Sequence, residues 1–312
     1  MPRDVTVCEV GLRDGLQSIA QFFPTQEKIA WIQAEAAVGM PAIEVTSFVP
    51  PKLIPQFSDA ADVVQAALQV PNLQVLALTP NLKGAEKGIE LGVHALNFVM
   101  SVSRTHNLKN VRKEREESIA EFQRIVQLVR GLPAEKRPKL VAGMGTALGC
   151  SYEGAIATSE VVHCAAALAE AGADQIMVCD TVGYASPKLV RDTFKAVRAV
   201  TGELPLGAHL HDTRGLGLAN VTAALECGVR HFDASLAGLG GCQFAPGATG
   251  NIVMEDLCFL LDSMGLKTGI DMEKLIHVRE IISRNLQQTP LYGGLAQSGL
   301  PKNYTPTLFQ NT

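Results

Sequence analysis

The chain has no Cys-x-x-Cys pair, no long apolar run and no excess of positive charge, and each absence argues against a class of protein. Its seven cysteines stand at positions 8, 150, 164, 179, 227, 242 and 258, an odd number without paired spacing, four of them inside apolar stretches such as "ALECGV". That usage argues against a disulfide-stapled scaffold and fits reduced thiols, so a cytoplasmic location is expected. No apolar run approaches the ~18 residues of a membrane span. Met1 leads into an apolar strand pattern by Val5 without a signal or transit segment, and a soluble chain is expected. A net charge of −4 gives no electrostatic footprint for nucleic acid or an anionic membrane. The one basic run, "KNVRKER" at 109–115, reads as a solvated helix start that could meet a phosphate.

What is present is apolar bulk in short pieces. With 312 residues, 47% hydrophobic and 19% charged, the chain can bury a full core, as two small domains or as one barrel. Strand patterns occur at 5–10, 42–48, 73–78, 95–100, 140–145, 175–180, 206–211 and 231–236. Amphipathic helical patterns lie between them, for example at 25–39, 114–132 and 153–172. "GMPAIEV", "GVHALNF", "GADQIMV" and "GVRHFDA" each place a glycine shortly before a strand, at 39, 92, 172 and 228, which reads as a helix C-cap. Alternating β and α units of this number predict an α/β fold, a (β/α)8 TIM barrel over 1–268 with a short helical or irregular extension over 269–312. A doubly wound sheet with a small second domain is the alternative. The segment from about Asn285 reads as a tail or lid.

In such a barrel the chemistry gathers at the C-terminal ends of the strands. Strand 1 leads into "EVGLRDGLQS", with Arg13, Asp14 and Gln17, and strand 2 carries Glu44. Strand 6 ends in Asp180, strand 7 in "HLHD" (His209 to Asp212), and strand 8 opens into a glycine-rich stretch with Cys242 and Asn251. Each has an ordinary explanation: a loop ion pair for Arg13 and Asp14, a helix cap for Asp180 or Asn251, a small filler for Cys242. A barrel would nonetheless bring these strand ends to one rim. His209 and His211, two apart on a strand, leave the same face. Two imidazoles, a carboxylate and an amide oxygen suit an octahedral divalent ion, Mg2+ or Mn2+ before Zn2+. Such an ion would act as a Lewis acid on a hydroxy or keto acid, with Arg13 placed to neutralise developing charge.

The stretches "CEVGLRDGLQS", "IEVTSFVPPKLIPQ", "LTPNLKG", "ALGCSYEG", "CDTVG", "HLHDTRGLGLAN" and "AGLGGCQFAPGATGNIVMEDL" together resemble the 3-hydroxy-3-methylglutaryl-CoA (HMG-CoA) lyase family of metal-dependent barrels, from about residue 4 to 268. The resemblance implies a divalent cation, Mg2+ or Mn2+, held by Asp14, His209, His211 and Asn251. It implies that Arg13 stabilises an enolate, that Cys242 is the catalytic cysteine, and that Glu44, Asp180 and His209 belong to the catalytic set. The implied reaction splits HMG-CoA into acetyl-CoA and acetoacetate, as in leucine degradation and ketone-body formation. Implied partners are an acyl-CoA substrate and further copies of the chain, as a dimer or tetramer, with no nucleic acid or membrane.

The chain departs from the family pattern at Gln243 and Phe244, where Pro-Tyr is usual, at Arg104, where an acid is usual, and at Gly145-Thr146, where Ser-Cys is usual. These positions would lie near the acyl and CoA portions, so Gln17, Arg104, Gln243 and Phe244 are taken as substrate-binding candidates. A substrate with an extra polar group within reach of Arg104 is expected. The other readings are a related lyase for a different 3-hydroxy-acyl-CoA, a condensing acyltransferase of the same superfamily, and a non-catalytic binding protein.

Overall fold

The computed structural model describes residues 3–240 and 250–305. Eight parallel strands close into a barrel in sequence order: β1 (Thr6–Glu9), β2 (Ala42–Ser47), β3 (Gln74–Thr79), β4 (Ala95–Ser101), β5 (Lys139–Gly145), β6 (Gln175–Asp180), β7 (Leu206–Leu210) and β8 (His231–Ala234). Their ends agree with the sequence pattern to within two residues. β2 and β6 are buried at every position, because barrel and outer helices cover both faces, and the strands therefore read as apolar runs rather than alternations.

The helices are α1 (Thr25–Ala37), α2 (Ala60–Leu68), α3 (Leu82–Leu91), α4 (Arg104–Val111), α5 (Arg115–Arg130), α6 (Thr158–Ala171), α7 (Pro187–Thr201), α8 (Gly217–Glu226), α9 (Met254–Ser263), α10 (Met272–Asn285) and α11 (Gly294–Ser298). No helix among the described residues is long and apolar enough to cross a membrane. Gly39, Gly92, Gly172 and Gly228 have φ of 99, 83, 107 and 81°, the left-handed geometry that turns a helix into the next strand. α6 starts five residues later than its periodicity suggests, because Cys150 and Gly154 pair across a tight turn before it.

The C-terminal segment does not hang free. Arg284 pairs with Glu27 of α1, and Gln21 donates to the Asn285 carbonyl at 3.0 Å. Past α10, Tyr292 N–H donates to Ala237 O at 2.9 Å, and the Asp256 carboxylate accepts Gly294 and Leu295 N–H, each at 2.8 Å. The segment read as a tail or lid is thus docked, through Tyr292, Gly294 and Leu295, on the turn after β8 and on α9.

Candidate active site

β1 ends in a five-residue π-helical turn, Gly11–Gly15, in which Asp14 and Gly15 N–H both reach the Val10 carbonyl, at 2.6 and 3.3 Å. Gly11 admits no side chain: a Cβ would lie 2.5 Å from Glu9 Oε1 and 2.7 Å from Ser235 Oγ. Glu9 binds Gly11 N–H through one oxygen and Leu236 N–H through the other, at 2.9 Å, so one buried carboxyl ties the turn after β1 to the turn after β8. A π-turn of this kind is common at functional sites, and here it sets Arg13 and Asp14 at the barrel mouth.

Glu9 lies beside Glu35 of α1, and neither is exposed. Burial raises both carboxyls, Glu35 to about 8, and the pair holds a proton at neutral pH. The folded state therefore binds more protons than the unfolded chain, and stability falls as pH rises from about 4.5 to about 8. Thermal denaturation across this window should show that fall, about 1.4 kcal/mol per pH unit for each extra proton the folded state holds. Glu35→Gln is expected to flatten it; an unchanged slope would place the proton elsewhere.

Asp14 is the hub of the site. Its Oδ1 accepts from Arg13 Nη1 at 2.5 Å and from Gln17 Nε2 at 2.8 Å. Its Oδ2 accepts from Asn251 Nδ2 at 2.8 Å and lies 3.8 Å from the Nε2 atoms of both His209 and His211. Burial would raise the Asp14 carboxyl, but the Arg13 charge and the two imidazoles hold it well below the usual range. The imidazoles sit at successive inward positions at the end of β7, their Nε2 atoms 3.2 Å apart. Asn251 arrives beside them because His211 and Asn251 pair as an isolated antiparallel bridge. It does not cap α9, whose N-cap is Val253.

This donor set fits a divalent cation. Asp14, His209 and His211 form the one group of three metal-capable side chains found among the described residues, with ligand atoms all within 4.8 Å. His209 Nδ1 lies 3.0 Å from the Asp233 carboxylate, which fixes the proton on Nδ1 and leaves the Nε2 lone pair facing His211. Two imidazole lone pairs at such a distance repel unless a cation or proton lies between them. Asn251 Oδ1, buried, has no hydrogen-bond partner among the described residues, as suits an oxygen kept for an ion. Burial opposes charge on both histidines, yet the Asp233 and Asp14 carboxylates raise His209, whereas burial and the neighbouring His209 lower His211.

The remaining candidates divide. Glu44 accepts from Arg13 Nε at 2.5 Å and from Asn97 Nδ2 at 2.8 Å, so it aims the guanidinium. Gln17 lines the cavity in front of the site. Asp180 is turned away from it: its carboxylate, pushed up to about 6 by burial, accepts Tyr184 and Ala185 N–H at 2.9 and 3.1 Å and shapes the loop after β6. Arg104, expected to face the substrate, is exposed at the start of α4, paired with Glu116 at 3.3 Å and absent from the cavity wall. Its place as the first residue of α4 points it to solvent, and His106, two residues on and so on the opposite side of the helix, takes the wall position instead. Cys242, Gln243 and Phe244 lie outside the described residues.

Sequence reasoning missed Asp233, Asn97 and His106. Asp233 had a readable signal, since it pairs in register with His209 across β7 and β8 and is an acid at an inward strand position. Asp233→Asn should weaken divalent-cation binding about 10- to 100-fold, the usual cost of losing a partner that orients a metal-bound histidine. Calorimetric titration with Mn2+ measures this, and unchanged affinity would reduce Asp233 to a filler.

The model of the HMGL-like family matches residues 4–282. The chain belongs to the HMGL-like family. It is 38% identical over 295 residues to hydroxymethylglutaryl-CoA lyase YngG of Bacillus subtilis, covering 92% of this chain and 97% of that one. The mitochondrial hydroxymethylglutaryl-CoA lyase of Rattus norvegicus is 37% identical over 288 residues, covering 92% of this chain and 87% of that one. Among solved structures, an HMG-CoA lyase from Acinetobacter baumannii in complex with coenzyme A and 3-methylmalate superposes with a TM-score of 0.89 at 38% identity, covering 97% of each chain. The family match spans β1 to α10, so it includes both the π-turn and the end of β7.

Proposed function

We propose that this HMGL-like protein is a divalent-metal-dependent carbon–carbon lyase that cleaves HMG-CoA, or a close 3-hydroxy-acyl-CoA, into acetyl-CoA and a keto acid such as acetoacetate. The observation that carries this reading is the convergence of Asp14, His209 and His211 with Arg13 on one wall of a cavity of about 360 Å3 at the barrel mouth. The relatives named above, and the coenzyme A and 3-methylmalate bound by one of them, support an acyl-CoA as substrate.

Asp14, His209, His211 and Asn251 would hold the ion, Mg2+ or Mn2+ on the chemistry of the donor set. When bound, it supplies Lewis-acid polarisation of the substrate's oxygens. The protein does the rest. The substrate's C3 hydroxyl gives its proton to water, the C2–C3 bond breaks, C3 becomes the ketone carbon of acetoacetate, and the bonding pair passes to C2 as the enolate of acetyl-CoA. Arg13, held by Glu44 and Asp14, presents a guanidinium to the enolate oxygen. His209, with its proton kept on Nδ1 by Asp233, would offer its unprotonated Nε2 to the ion. Cys242 is the proposed donor of the proton that C2 then takes, a thiol being a good acid near neutral pH. Mass spectrometry of the products from HMG-CoA and metal-loaded protein tests the reading: acetyl-CoA with acetoacetate supports it, and free CoA with intact hydroxymethylglutarate would make the protein a thioesterase.

A further inference from the structure

The catalytic cavity has two unlike walls. β1 and β7 present Arg13, Asp14, Gln17 and the two imidazoles, while β3 to β6 across the barrel present mainly Leu78, Val99, Gly143, Gly145, Met177 and Cys179, with the smaller polar groups of Asn97, Ser101 and Thr181 among them. Gly143 and Gly145 occupy successive inward positions of β5. A glycine weakens a strand and is retained where the backbone requires it or where another group needs the side-chain space. Neither glycine has a left-handed φ. A Cβ on Gly145 would meet nothing closer than 3.4 Å, and one on Gly143 would press on Val99 Cγ2 alone, at 3.2 Å, the end of a side chain that can move. Gly207 of β7 is the contrasting case, since a Cβ there would lie 2.1 Å from Met177 Sδ, and the protein itself fills that space. Beside Gly143 and Gly145 the space belongs to the cavity.

The direction of the substrate follows from the walls. Its hydroxyl, carboxylate and thioester oxygens are drawn to the cationic and ligand side, and C3 is tetrahedral, so the remaining substituent on C3 points across the barrel. We propose that Gly143, flanked by Leu78, Val99 and Met177, opens a recess for that substituent, and that the enzyme accepts 3-hydroxy-3-alkylglutaryl-CoA substrates whose alkyl group is larger than methyl. This rests on the lyase reading above. Met177 adds adaptability, because an unbranched thioether repacks easily. Together with Asn97 and Asp233 it also roofs a second cavity, of about 250 Å3, in the lower barrel. The family departure at Gly145 thus falls on the cavity wall, beside Ser101 Oγ and Thr181 Oγ1, whereas Arg104 does not.

Turnover and binding test the recess separately. Metal-loaded wild type, Gly143→Ala and Gly143→Leu are given HMG-CoA and its C3-propyl homologue, and the free 3-hydroxy-3-alkylglutarates are titrated by calorimetry. In the wild type, propyl should be processed and bound at least as well as methyl. In Gly143→Leu the propyl-to-methyl ratio should fall by about 15-fold, two methylenes at roughly fourfold each, with a smaller fall in Gly143→Ala, which keeps the fold if leucine does not. Ratios unchanged in folded variants, or a wild type that prefers methyl in both assays, would overturn the recess. If no thioester is cleaved but the free acids show the shift, the lyase reading fails and the recess stands.

Discussion

Asp14→Asn is expected to give a folded protein that binds Mn2+ at least about 100-fold more weakly and turns over at least about 10^3-fold more slowly, since losing about 4 kcal/mol of charge stabilisation costs that much in rate. The substitution keeps the shape of the side chain and removes its charge. Asp14 is the carboxylate that faces both imidazoles while receiving bonds from Arg13, Gln17 and Asn251, so its loss disturbs the ion, the guanidinium and the amide at once. Excess chelator should do the same to the wild type, reversibly on adding Mg2+ or Mn2+. Calorimetry and steady-state kinetics on one preparation decide the matter. Full turnover in chelator would remove the metal from the account.

Arg13→Lys should lower kcat by about 10^2- to 10^3-fold with a much smaller change in KM, the pattern of a group that acts in the transition state. Arg13 is buried, and its Nε and Nη1 are committed to Glu44 and Asp14, which leaves Nη2 for the substrate. Lysine keeps the charge but replaces a planar fork by a point donor, so it cannot satisfy two carboxylates and a ligand in the same directions. Retaining the charge also protects the fold, because Glu44 is not left as an unpaired buried carboxylate. A variant with near-wild-type kcat would show that the enolate is stabilised by some other group.

The barrel was legible because its strands are short, buried on both faces and separated by glycine caps, a pattern that repeats along the chain. The cluster of Asp14, His209 and His211 was legible for a related reason: the first two lie at the ends of β1 and β7 and His211 follows two positions on, where the fold concentrates chemistry. Asp180 and Arg104 stand just as close to strand ends, yet they face a loop and the solvent. The difference lies in side-chain direction, which depends on how the backbone leaves the strand, and no residue spacing encodes it. Asp233 needed the pairing register of β7 with β8, a long-range fact. Gly143 looked like an ordinary strand residue and Gly145 was legible only as a departure from the family pattern, and their place on the cavity wall came from the fold. The docked C-terminal segment was hidden because polar, proline- and glycine-containing sequence reads as loose until its hydrogen-bond partners on α9 and Ala237 are known.

In the proposed reaction the electrons of the C2–C3 bond leave as an acetyl-CoA enolate held by Arg13. Running the reaction in D2O with metal-loaded protein and HMG-CoA, followed by mass spectrometry of the acetyl-CoA, tests this directly. One deuteron in the acetyl methyl group, together with one acetoacetate per acetyl-CoA, is the predicted result. Acetyl-CoA without solvent deuterium, or coenzyme A released with the acyl carbon skeleton intact, would contradict it.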